Sequence, residues 1–231
     1  MDILCKRCCG LDVHKKTITG CIMTPEGKAI ATFGTMTKDL RALVAWIKEK
    51  GCTHVAMEST GVYWIPVYNL LETENLNVII VNANHIKNVP GRKTDVSDAE
   101  WIADLLRHGL LKGSFIPPRE QRELRELTRY RRSLVAEHTR EVNRIQKVLE
   151  GCNLKLSSVV SRITGTTSSL ILKALIHGEI DPEVLASFAK GRLVRKKHEL
   201  MEALDGFIGP HQQKLLAVQI DHLAYLEKQI T

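Results

Sequence analysis

The sequence predicts an α/β fold, a mixed five-stranded sheet with flanking helices, continued by a long helical coiled-coil hairpin. Three observations lead there. Residues 6–34 hold three short apolar runs joined by tight turns, which read as an antiparallel meander. Helical and strand periods then alternate to about residue 108, which places further strands in parallel with helices on the faces. From Arg119 a stretch without proline or glycine runs to Gly151, with apolar residues at three- and four-residue steps, the pattern of a coiled-coil seam.

In order along the chain, "RCCGLDVH" is the first strand, "TITGCIMT" the second and "KAIATFG" the third, with the turn signal "PEG" before the last. Leu40, Leu43, Val44 and Ile47 share one side of a helix over 37–50 that Gly51 ends. "THVAMES" is a fourth strand, 61–74 a helix, "NVIIVN" a fifth strand and 95–108 a helix ended by Gly109. Right-handed crossovers bring strands four and five beside strand one. Ligands of such sheets gather beyond the carboxyl ends of the strands, where Asp12 and Glu58 are expected.

The boundaries read 1–112 for the sheet domain and 113–231 for the helical region. In the latter, Leu124, Leu127, Leu134, Val142, Ile145 and Leu149 form a seam interrupted by Arg131 and His138. Some 32 helical residues reach roughly 48 Å. Residues 152–191 read as a small helical lobe containing "SSLILKALIHG" and "DPEVLASFAKG", the latter with Asp, Pro and Gly at capping positions. A second amphipathic stretch over 193–230, broken at "GP", is expected to pack antiparallel to the first, with the lobe at the far tip. The seam predicts self-association of copies of this chain.

The chain has 231 residues and a formal charge of +7, with the basic excess beginning after the sheet domain. Residues 1–110 hold 13 Lys/Arg against 12 Asp/Glu, whereas 111–150 hold 10 against 6. That bias points to a polyanionic partner, most often nucleic acid. No apolar run reaches a membrane span and the N-terminus lacks a secretory signal, so a cytoplasmic protein is expected. The six cysteines read as free thiols; "CKRC" is half a zinc spacing without a second half.

"KTDVSDAE" (residues 93–100) poses the functional question. Asp95 and Asp98 suit a first helical turn electrostatically, and Ser97 with Glu100 can form a capping box. At i and i+3 they can equally present paired carboxylates to one point. If this helix starts at the strand-end edge, Asp12, Glu58, Asp95 and Asp98 converge. At about 6 Å and an effective dielectric near 20, each ionised pair costs roughly 3 kcal/mol, so protons or cations must neutralise the group. Oxygen-only ligands suit Mg²⁺ or Mn²⁺, and two such ions clamp a phosphodiester for in-line displacement.

"GLDVHKK", "MESTGVYW", "NVIIVNANHIKNVPGRKTDVSDAEWIADLLRHG" and the long helix after them closely resemble the DEDD-type insertion-sequence transposases. These are relatives of the Piv-type invertases and of bridge-RNA-guided recombinases. The resemblance runs over essentially all of residues 9–231. It implies a RuvC-like, ribonuclease-H-type first domain, with Asp12, Glu58, Asp95 and Asp98 as a catalytic tetrad binding Mg²⁺. It implies DNA and a guide RNA as partners, and dimers or tetramers. Relatives continue into a domain with a nucleophilic serine, which this sequence does not reach; the chain reads as truncated. It is expected to supply the acidic half of a composite site, and not to complete recombination alone. Ser59 in "ESTG" lacks the setting of a nucleophile elbow.

Further basic residues are candidates for nucleic-acid contact: Lys15 and His14 beside Asp12; Lys87, Arg92 and Lys93 flanking the aspartates; and the stripe Arg122, Arg125, Arg129, Arg132, which Arg140, Arg144 and Lys147 roughly extend. "VRKKHE" (194–199) is a weaker candidate. The stripe is otherwise a solvated face paired with Glu120, Glu123 and Glu126. Tyr63 and Trp64 either stack on bases or pack in the core. The competing function is a non-catalytic RNA/DNA-binding and oligomerisation module. A third reading, an ATPase of the actin-like fold, requires a second glycine-rich phosphate loop that this sequence does not show.

Overall fold

A computed structural model describes residues 2–87 and 97–231, with Lys87 described by its backbone alone. The chain divides into two compact units between Pro117 and Pro118. Gly113 bridges Val81, Ser114 N–H donates to Ile80 O at 2.7 Å and Ile116 packs on the sheet core. These interactions keep the connecting residues with the sheet.

In the first unit, β1 (Cys8–Val13), β2 (Thr17–Thr24) and β3 (Gly27–Gly34) form the antiparallel meander. Helix α1 (Thr37–Glu49) follows, then β4 (His54–Glu58), α2 (Trp64–Thr73), β5 (Asn77–Val81), the short α3 (Ala83–Lys87) and α4 (Asp98–Arg107). The sheet order is β3-β2-β1-β4-β5, with β1, β4 and β5 parallel. This is the expected mixed five-stranded sheet, with helices on both faces. The strands' alternation sorts two cores. Cys9, Leu11 and Val13 join Val55, Met57 and the buried residues of α1 and α2 on one face. Cys8 and Ala56 join Ala99, Ile102, Ala103 and Leu106 of α4 on the other.

All six cysteines are free and only Cys5 is not fully buried. Burial pushes the Cys8 thiol up to about 12, and those of Cys21 and Cys52 to about 11. They act as small apolar side chains rather than thiolate ligands.

The second unit begins with α5 (Arg119–Gly151), roughly 50 Å long. The lobe holds α6 (Leu156–Val159), α7 (Thr166–Ile176) and α8 (Pro182–Ser187), where Asp181 caps Glu183 N–H as its sequence predicts. A 3₁₀ turn over Gly191–Lys196 leads to α9 (Lys197–Leu204) and α10 (Pro210–Ile230). The stretch over 193–230 breaks at "GP" as expected, and its first part is itself divided into the 3₁₀ turn and α9. Helix α10 packs antiparallel on α5: Arg131 Nε donates to Ile230 O at 3.2 Å, His138 pairs with Glu227 at 3.3 Å and His222 lies 3.4 Å from Glu141. The two polar residues that interrupt the seam therefore fix the register of the pair.

Seam residues Leu134, Ile145 and Leu149 are buried, but Leu124 and Leu127 are 62% and 67% exposed, because α10 ends opposite Arg131. Ile145→Ala is expected to cost about 2–5 kcal/mol through the cavity it leaves. Leu124→Ala should stay within about 0.5 kcal/mol in the monomer. Chemical denaturation of both variants checks the contrast.

Candidate active site and nucleic-acid surface

The parallel register pairs Leu11 with Met57, so Asp12 and Glu58 end adjacent strands. By the two-residue alternation, Gly10 and Asp12 lie on the same face as Cys8, and Glu58 on the same face as Ala56; this is the face that α4 covers. Helix α4 reaches it because Gly10 has no side chain. A Cβ there would sit 2.9 Å from Ala103 Cα and closer still to Ala103 N and the Ala99 carbonyl oxygen. The helix backbone thus rests on the strand, and its first residue, Asp98, is brought near Asp12. Sequence reasoning passed over Gly10, although an isolated glycine within a strand pattern signals such a close approach.

Ser97 is the N-cap of α4, accepting a hydrogen bond from Glu100 N–H at 3.3 Å, and Glu100 pairs with Lys28 at 2.7 Å. The capping role thus falls to Ser97, leaving the Asp98 carboxylate in the first turn. The i, i+3 spacing sets Asp95 and Asp98 in one helix. As described, α4 begins at Asp98, and Asp95 lies outside the described residues, as do Arg92 and Lys93.

The acids already share one field. Burial raises the Asp12 pKa above its usual 3.8, His14 opposes the rise, and the charges of Asp98 and Glu58 add to it. The Asp12 side chain is 25% exposed and its Oδ2 lies 3.0 Å from His14 Nε2. Glu58 Oε1 accepts from Thr60 Oγ1 at 2.9 Å, so Thr60 orients that carboxylate. Among the described residues, no three His, Cys, Asp or Glu are grouped so as to hold a metal ion. His14→Ala is expected to raise the Asp12 pKa further by removing the partner that favours its ionised form, as read by carboxyl-carbon NMR titration.

Lys15 is exposed in the turn after β1, where His14 N–H donates to Thr17 O. Trp64 packs into the core in an edge-on contact with Tyr68, whereas Tyr63 is 40% exposed. On α5, Arg125, Arg129 and Arg132 are exposed and Arg122 is half-buried. Ion pairs near the stripe join Arg119 to Glu123 and Arg144 to the buried Glu141. Among the described residues, no helix is long and apolar enough to cross a membrane.

A family model described as Transposase, DEDD_Tnp_IS110, matches residues 9–154. The chain belongs to this family of DEDD transposases. The matched span starts at β1 and ends just after α5. The transposase is also similar to RuvC of T. thermophilus, solved in complex with a Holliday junction substrate: 10% identity, TM-score 0.33, 47% of this chain and 99% of that one. A likeness to Pelota of Archaeoglobus fulgidus has 10% identity and TM-score 0.30 over 87% of this chain and 56% of that one. No curated protein matches the sequence. Membership of the family makes DNA transposition or recombination the function of this protein and DNA its partner.

Proposed function

We propose that this transposase performs divalent-metal-dependent phosphodiester chemistry at Asp12, Glu58, Asp95 and Asp98, as the acidic half of a composite site for DNA strand cleavage and exchange. The observation that carries the reading is geometric: Asp12 and Glu58 lie at the ends of adjacent parallel strands, on the face that α4 covers, and Asp98 opens that helix; burial first, and then the charges of Asp98 and Glu58, raise the Asp12 pKa. Acids from β1, β4 and α4 sense one another at one sheet edge. Their donor set is oxygen, which fits a hard cation such as Mg²⁺ or Mn²⁺. When bound, the metal would polarise a phosphodiester oxygen and stabilise the charge that develops on it.

The protein's own groups do the rest. Asp12 and Glu58 aim from adjacent strand ends, Thr60 holds Glu58 in orientation, and His14 holds one Asp12 oxygen. Lys15, with Lys87, Arg92 and Lys93, would grip the phosphates beside them, and the Arg122, Arg125, Arg129, Arg132 stripe would follow a strand along α5. The guide is a bridge RNA, and the exposed Leu124 and Leu127 are the seam through which copies pair. The family resemblance supplies the nucleophilic serine and the RNA.

The test is a thermal-shift titration with Mg²⁺ and Mn²⁺. At a hundredfold excess over the dissociation constant the gain is about 2.7 kcal/mol, or roughly 5–10 °C for a chain of this size. Asp98→Asn should lose that gain without unfolding. A wild-type protein that ignores both ions would leave the binding-module reading, in which the arginine stripe holds nucleic acid and chemistry occurs elsewhere.

A further inference from the structure

The helical unit contains an open cleft of about 510 Å³ between the start of α7, the loop before it and the 3₁₀ turn over Gly191–Lys196. Its lining includes Arg162, Lys190, Arg192 and Lys196 and contains no Asp or Glu. In a unit that otherwise nearly balances its charges, four cations around one concavity form a local positive field. One of them, Lys196, is paired with Glu199 at 3.0 Å outside the lining.

Two buried hydroxyls build this arrangement. Thr167 Oγ1 accepts from Lys190 N–H at 3.0 Å, which ties the loop carrying Lys190 and Arg192 to the first turn of α7. Ser168 Oγ donates to Arg162 O at 3.0 Å, and Gly165 N–H donates to the same carbonyl, which ties down the loop on the other side. Gly191 turns the chain with φ +59°, a conformation suited to glycine. The first N–H groups of a helix lack intrahelical partners; those of α7 open on the cleft, and no side chain caps them. Val159 and Leu193 add apolar wall. A positive cleft with backbone donors at one end and room for a sugar beside it suits an anionic group, and in a protein that acts on DNA that group is the phosphate of a nucleotide unit.

We infer that this cleft is a phosphate-binding site that takes a nucleic-acid strand, separate from the acidic edge of the sheet. The inference does not depend on the metal reading, since no residue is shared with it.

Binding of a fluorescent single-stranded oligonucleotide to the full chain, followed by anisotropy in EDTA, tests it. The double variant Arg162→Ala/Arg192→Ala is expected to bind about tenfold more weakly. Its salt dependence should become shallower by about 0.7 for each phosphate it no longer holds. Thr166→Glu should do the same while leaving the melting temperature unchanged or higher, because an acid favours a helix start but repels phosphate. Oligonucleotides with and without a 5′-phosphate separate the two sources of the group: a preference for the former assigns a strand end, and equal weakening assigns an internal phosphate. If both variants fold as wild type and bind with unchanged affinity and salt slope, the site is refuted. The oligonucleotide assay runs in EDTA and the metal reading is tested by thermal shift without nucleic acid, so failure of the metal reading and failure of the cleft are told apart.

Discussion

Gly10→Ala is expected to destabilise the sheet unit by about 3 kcal/mol or more. The added methyl meets the backbone of α4 at Ala99 and Ala103, not the movable end of a side chain. Overpacking against flexible side chains costs about 1–3 kcal/mol, and a helix backbone yields less readily. Either α4 lifts from the sheet or β1 bends. In both cases Asp98 moves from Asp12, so the metal response falls along with stability. Hydrogen exchange should speed up at the amides of β1, β4 and α4 and stay unchanged at those of α5 and α10, which belong to the other compact unit. Uniform acceleration through both units would contradict this account.

Asp12→Asn is expected to act in the opposite direction on the metal-free fold while abolishing its response to divalent ions. The sign follows from linkage. Asp12 is raised from 3.8 by burial and then, against His14, by Asp98 and Glu58. Just above that value the native protein holds a proton that the unfolded chain has released. Stability therefore falls as pH rises through the raised pKa, and the whole cost is present above it. Asparagine carries no such charge. The variant should be more stable than wild type at neutral pH in EDTA, and the two should converge as pH falls below 3.8. With saturating Mn²⁺ the order should reverse, because only wild type gains the roughly 2.7 kcal/mol expected at a hundredfold ligand excess. Melting curves across pH, with and without Mn²⁺, read both effects. A variant that is less stable than wild type in EDTA at neutral pH would mean that Asp12 is held by favourable contacts rather than crowded by like charge.

Much of the sheet unit was legible locally. The strand "TITGCIMT" and the turn at "PEG" fall where their patterns put them, because alternation and turn chemistry are local properties. Of the site, Asp12 and Glu58 at the strand ends follow from strand pattern and right-handed crossovers. Arrival of Asp98 beside them depends on the Gly10 contact, a match between two surfaces ninety residues apart that no local pattern encodes. The pairing of Asp12 with His14 belongs to the tight turn after β1, and Thr60 reaches Glu58 only through the bend that follows β4.

In the helical unit, Arg131 and His138 read as faults in a seam and proved to be cross-helix contacts. Glu141, unremarkable in sequence, is 3% exposed between Arg144 and His222; burying a carboxylate requires such partners, and one of them comes from a helix eighty residues on. By itself the sequence determined which segments are strands and helices, the α/β class, the strand-end acids and the basic bias, because period, turn residues and charge are carried by neighbours along the chain. Only the tertiary structure decided how close α4 lies to β1, how far α10 covers α5 and that four cations ring one cleft, because those depend on surfaces meeting through space.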